Sequence, residues 1–194
     1  MKTTTLIFLI SMLFNFGCKK IEPKFPDRKA VLVSEFSSYE NFFPIITLDL
    51  TGKGIKDKIH VIYVSFDPST DSKKNFPENE NVDAFTYSIE KDGLYRPLFD
   101  KGALIIGHDF EKYFVEGKAK YQRAKSDNID FQFIVEYPEN PEWWQDDETP
   151  KDSKGENCKF ICQVEVIELN NDDCRMYIFY DQTARQVKCI YQRT

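Results

Sequence analysis

Apolar and polar positions alternate most regularly in the last third of the chain. Phe131, Phe133, Val135 and Tyr137 fall on one side of a first run, and Cys158, Phe160, Cys162, Val164 and Val166 on one side of a second. Cys174, Met176 and Ile178 repeat the pattern, as do Val187, Cys189 and Tyr191. A period of two marks strands with one buried face. Asn170–Asp173 and Asp181–Ala184 supply turn-forming residues between the last three runs. The pattern predicts a C-terminal three-stranded antiparallel meander with its four cysteines on inward faces.

Earlier in the chain, Ile45–Leu50 and Lys58–Phe66 are β-branched and aromatic and flank the glycine-containing loop 51–57. That reads as strand, tight loop, strand. Ala84–Glu90 and Leu94–Asp100 form a second predicted hairpin around Asp92-Gly93. Shorter strands are expected over 30–36 and 103–106, with 37–43 irregular. The mixed segment 109–124 predicts a short helix interrupted by Gly117. Segments 67–83 and 138–156 are polar, contain proline and exceed ordinary turns in length. The expected fold class is mostly β: one antiparallel sandwich or curved-sheet domain with at most one short helix.

The amino terminus carries a different signal. Met1-Lys2 is followed by the apolar run Leu6–Phe16, then Gly17-Cys18. Eleven residues are too short to span a bilayer, whereas a charged start, a short apolar stretch and a small residue suit a secretory signal. With cysteine directly after Gly17, the segment resembles a bacterial lipoprotein signal, although Asn15 and Phe16 stand where that pattern prefers Leu and a small residue. The resemblance implies cleavage after residue 17, diacylation of Cys18 and a membrane partner reached through that lipid. The organisation expected is a signal over 1–17, a tether over 18–29 and a single domain over 30–194. Pro23 and Pro26 favour an extended tether, and its Lys19, Lys20, Lys24, Arg28 and Lys29 suit anionic head groups, with solubility as an equally adequate reading. Lys19 and Lys20 replace the acidic residues that direct some lipoproteins outward, so a periplasm-facing outer-membrane location is favoured over the cell surface.

Charge narrows the partners. With 26 basic and 32 acidic residues the formal net charge is −6, which argues against nucleic acid. With Cys18 acylated, Cys158, Cys162, Cys174 and Cys189 remain, an even number that suggests two disulfides in an oxidising compartment. Their spacing is not that of zinc ribbons or fingers, and buried thiols are the other reading.

LDLTGKGIKDKI (48–59) resembles the calcium loop of FG-GAP-type repeats. By position the resemblance makes Asp49, Thr51 and Asp57 ligands, with Gly52 and Gly54 shaping the turn. Lys53 stands where that loop places a further carboxylate, so the expectation is a metal-free turn with the lysine's charge in the ion's place. No cofactor or metal is expected, and no catalytic residues are assigned. His60 alternates with apolar residues in a predicted strand, as a structural imidazole does, while His108 beside Asp109 could act as a base. Trp143 and Trp144 are the binding candidates, with capping of the sheet as their other reading. The function expected is a non-catalytic envelope lipoprotein that binds a protein partner through its two long loops, an immunity- or inhibitor-type protein being one specialisation. The alternative is a periplasmic hydrolase acting on cell-wall or carbohydrate material, with His108 or acidic residues near the tryptophans.

Overall fold

The computed structural model describes residues 20–21, 24–67, 84–127, 135–166, 169 and 174–193. The signal segment, Cys18, Phe131, Phe133, the 170–173 turn and all of the 67–83 loop except Asp67 lie outside them. In chain order the elements are β1 (Lys20–Ile21), α1 (Arg28–Val31), α2 (Ser34–Ser37), β2 (Phe42–Asp49), β3 (Ile59–Val64), β4 (Ala84–Ile89) and β5 (Tyr95–Pro97). Then follow α3 (Glu111–Asp127), β6 (Val135–Glu136), β7 (Lys159–Glu165), β8 (Cys174–Asp181) and β9 (Gln186–Arg193). Two antiparallel sheets result, one ordered β1-β2-β3 and the other β5-β4-β9-β8-β7-β6. The β-dominated, antiparallel class expected from alternation is the one formed, and β7-β8-β9 is the meander.

The large sheet has aromatic residues on both faces. Cys162, Val164, Met176, Ile178, Val187, Cys189 and Tyr191 join the main core, while Tyr177, Phe179, Ile190 and Ala84 form a second cluster on the opposite face. A register irregularity between Phe160 and Cys162 moves β7 from one face to the other. Cys158 and Phe160 therefore belong to the outer cluster, so three of the four thiols, not all four, point into the main core. A bulge has the length of one residue and inverts every side chain beyond it, which uninterrupted alternation cannot register.

No disulfide joins these cysteines, and the ladder gives the reason. Cys189 faces Ile178 on β8 and Cys174 faces Arg193 on β9, an offset of four residues or about 14 Å along the strands. Cys162 also faces Ile178, which leaves it about 10 Å from Cys189, two strands away. Both separations exceed the roughly 7 Å Cα limit for a bridge. The expected pair of disulfides is thus replaced by buried thiols, that of Cys189 with its pKa pushed up by burial.

The small sheet presents an edge, not a face, to the large one. The outward backbone N–H groups of β3 at His60 and Val64 donate to the hydroxyls of Tyr95 and Tyr191, at 2.8 and 3.0 Å. Both faces of β3 are consequently buried along its whole length. Phe43 stacks on Tyr121 of α3 at 4.9 Å, and Phe42 on the other side meets Phe36 of α2 and Phe99.

Several local expectations change. Residues 30–36 form helical turns instead of a strand, with Val31, Leu32, Val33 and Phe36 buried as a cap beside β5. Residues 101–104 make a 3-10 turn started by Asp100, whose carboxylate accepts from the Gly102 N–H. The helix runs unbroken through Gly117, because that glycine sits against the Leu169 carbonyl where a Cβ would approach to 2.5 Å. The described residues of the expected 18–29 tether lie against the domain. Lys20 pairs with Asp49 and Ile21 with Leu48, Phe25 is buried against Tyr121, and its N–H donates to the Ile45 carbonyl.

Candidate functional site

At one end of the molecule the chain before β3, the β4–β5 turn, the β8–β9 turn and the α1 segment enclose a cleft of about 520 Å³. Its chemistry comes from Lys56, Asp57, Lys58 and His60 on one wall, with Lys91, Asp92 and Arg185 opposite. Each wall is set by a local turn. The 3-10 turn Thr51–Lys53 ends at Gly54 with φ 77°, a left-handed conformation natural to glycine, which sends 55–58 back toward β3. Gly93 does the same in the second hairpin, with φ 87°. Arg185 adopts φ 52° without being glycine, and its carbonyl accepts from the Ile89 N–H.

Asp57 ties the walls together. Its two oxygens accept from Arg185 Nη2 at 2.7 Å and Nε at 3.2 Å, and Oδ2 also accepts from the Tyr180 hydroxyl at 2.6 Å. The guanidinium holds the Asp57 carboxyl below the usual carboxylate range. A carboxylate so committed is a weak proton acceptor and serves as a structural clamp. His60 is engaged as well, its Nδ1 lying 2.9 Å from Thr47 Oγ1 and its ring edge-on to Tyr95 at 4.7 Å. Its lining carries four basic side chains, Lys56, Lys58, Lys91 and Arg185, and two acidic ones, Asp57 and Asp92. In a chain of net charge −6, this concavity is locally basic.

Family models, curated proteins and solved structures yield no match to this chain.

The residues singled out in the sequence do not converge. Trp143 lies half-buried on the outer face of the large sheet, 4.3 Å from Tyr177 and stacked on Phe179 at 5.8 Å. Trp144 carries the Arg175 guanidinium over its ring at 4.6 Å. The 138–156 loop is strapped down around them: Trp144 N–H donates to Gln192 Oε1 at 3.0 Å, Gln192 Nε2 to the Asp146 carbonyl at 2.8 Å, and Lys188 Nζ to the Lys151 carbonyl at 2.6 Å. His108 sits just before α3 with its side chain 96% exposed, while α3 itself packs against the small sheet. The imidazole and the tryptophans thus belong to different layers.

The calcium-like loop is bonded internally. Asp49 Oδ1 accepts from Thr51 N–H and Oγ1 at 3.0 and 2.6 Å. The positive charge beside Asp57 comes from Arg185, and not from Lys53 as expected. Among the described residues no group of three His, Cys, Asp or Glu side chains is placed to hold a metal ion. Among the same residues no helix is long and apolar enough to cross a membrane.

Arg185, Tyr180 and Lys91 escaped sequence reasoning. Arg185 lies 128 residues from Asp57, in a turn whose composition is unremarkable. Only the alternating Lys56-Asp57-Lys58 was visible locally, and its role depends on that distant partner.

Proposed function

We propose that the chain is a lipid-anchored, non-catalytic binding protein of the bacterial envelope, held through Cys18, and that its ligand surface is the basic cleft. The observation that carries this reading is the local inversion of charge. Three lysines converge on a concave surface of an acidic chain, while the groups there best suited to proton transfer are already engaged. A pre-bonded Asp57–Arg185–Tyr180 triad fixes the walls and lowers the ordering cost of binding. The strapping of loop 138–156 favours this cleft over that loop as the contact surface, while loop 67–83 lies, but for Asp67, outside the described residues. The apolar run and Gly17-Cys18 support the anchor, and a periplasm-facing outer-membrane location remains the favoured address. No contact described above favours the immunity- or inhibitor-type specialisation.

Replacing Cys18 by Ser tests the anchor: the protein should leave the membrane fraction for the soluble fraction. Unchanged fractionation defeats it. Charge reversal in the cleft, with Lys56→Glu and Lys91→Glu, tests the surface by abolishing retention on an immobilised phosphate resin.

A second reading, hydrolysis of carbohydrate, draws on one specific arrangement. Gln163 Nε2 donates to Glu136 Oε2 at 2.6 Å and to Glu142 Oε2 at 3.0 Å, close to Arg175 and Trp144. Two carboxylates held by one amide are compatible with acid–base work on a glycoside. Loss of cell-wall or polysaccharide cleavage in Glu142→Gln would support it, and absence of cleavage by the wild-type protein would end it.

A further inference from the structure

We infer that the outer face of the large sheet is a binding groove for an extended peptide, and that residues 142–146 occupy it as a built-in competitor. The ligand it fits is a tryptophan-bearing segment of another polypeptide. None of the groove's side chains line the basic cleft, so the groove stands or falls independently of the cleft and of the anchor.

Residues 142–146 are held as a ligand would be, by side chains that read the main chain. Gln163 Oε1 accepts from the Glu142 N–H at 2.9 Å. The Tyr177 hydroxyl donates to the Glu142 carbonyl at 2.9 Å and accepts from the Trp144 N–H at 3.1 Å. Gln192 spans the residues that follow. Its Oε1 accepts from the N–H groups of Trp144 and Gln145, both at 3.0 Å, and its Nε2 donates to the Asp146 carbonyl at 2.8 Å. Main-chain contacts of this kind give affinity to any extended chain, and side-chain pockets give the selectivity. Here the pocket belongs to Trp143, whose ring lies 4.3 Å from Tyr177 and stacks on Phe179 at 5.8 Å.

A sheet face that is merely covered needs only apolar surface beneath the cover. Gln163 and Gln192 are instead 0% and 1% exposed in this face, where an amide is costly unless a partner is seated on it. Arg175, itself 9% exposed, donates from Nη1 to the Glu142 carbonyl at 3.2 Å and from Nη2 to Glu165. Its Nε is buried without an acceptor among the described residues, so the internal segment leaves one donor of the groove unmatched. Release of the segment breaks no strand pairing. Residues 142–146 belong to no strand, and the β9-β8-β7-β6 ladder does not include them.

The test titrates full-length protein into a fluorescein-labelled, capped peptide of sequence Asn-Pro-Glu-Trp-Trp-Gln-Asp-Asp-Glu, that of 140–148, and reads anisotropy. Trp143→Ala takes the anchor from the internal segment and leaves the groove's own side chains in place. That variant should bind the peptide at least about tenfold more tightly than wild type, whose tethered segment competes at high effective concentration. Alanine at the peptide's first tryptophan, or Gln192→Ala added to the variant, should each weaken binding at least about tenfold. Trp144→Ala, which also loosens the segment, is the second variant. No binding to a folded Trp143→Ala or Trp144→Ala protein overturns the inference. Equal binding of a scrambled peptide overturns it too, because charge and composition then suffice without main-chain reading. If both variants unfold, shown by fast reaction of Cys162, Cys174 and Cys189, the segment is part of the core and no replaceable occupant, and the inference is again overturned.

Discussion

Asp57 shows how a residue's role is decided by a partner far away in sequence. Its folded-state pKa is lowered mainly by the Arg185 hydrogen bonds, so the stability it contributes is present above its ordinary value of 3.8 and is lost as pH falls through the lower folded value. Asp57→Asn should lower stability by about 1–2 kcal/mol near pH 7, toward the low end for charged hydrogen bonds because the Arg185 side chain is 42% exposed. The gap from wild type should narrow below about pH 4, where protonation removes the same charge from the parent. Urea midpoints at pH 7 and pH 3 measure this, and a constant gap would show that the ion pair is not its source. Gly117 makes the complementary case. In an open helix, Gly→Ala stabilises by about 1 kcal/mol. Here the added methyl would meet the Leu169 carbonyl oxygen at 2.5 Å, so Gly117→Ala should destabilise by about 1–3 kcal/mol. A raised melting temperature would show that the helix has room to move. Neither residue's role was legible beforehand, since a carboxylate in a loop and a glycine in a helix read alike whether or not something lies against them.

Among the elements, the strands were the most legible and their faces less so. Alternation placed β7, β8 and β9 because half-buried strands must present apolar side chains every second residue. Asp92-Gly93 located the second hairpin because its turn needs a left-handed residue, which Gly93 provides. The bulge in β7 has no compositional mark, so alternation alone assigns Cys158 to the inner face, whereas it lies in the outer cluster. The strand expected over 30–36 gives way to helical turns for a related reason: Val31 and Val33 suit a strand by propensity, but tertiary burial is the stronger force. The thiols test the register directly. Denatured, unreduced protein with Cys18 acylated should titrate as four thiols, whereas the native form should react slowly because all four are buried. Two or fewer in the denatured state would mean that bridges form, and then the β7–β8 and β8–β9 registers that keep Cys162, Cys174 and Cys189 apart, or the outer placement of Cys158, could not stand.

Over the whole molecule, the unusual feature is that a small sheet meets a larger one along an edge. An unpaired strand edge ordinarily invites another chain, and proteins blunt or cover it. Here tyrosine hydroxyls do so from within. Tyr95 on β5 accepts from the His60 N–H and donates to the Lys58 carbonyl at 3.4 Å, while Tyr191 on β9 accepts from the Val64 N–H. The two caps lie on different strands of the large sheet, yet both hold β3. Both sheets should therefore unfold together. The same bonds fix the start of β3, and with it Lys56, Asp57 and Lys58 on the cleft wall, so sheet docking and the proposed site are linked. Tyr95→Phe and Tyr191→Phe should each cost about 1–3 kcal/mol, because each strands a buried backbone donor. In amide exchange, His60 and Val64 should belong to the slowest class, as central-strand amides do, and Tyr95→Phe should speed His60 far more than Val64. Rapid exchange at both amides in the wild-type protein would mean that the edge opens independently of the core. In that event the cleft wall would not be held by the large sheet, and pre-arrangement of the lysines would no longer follow from the fold.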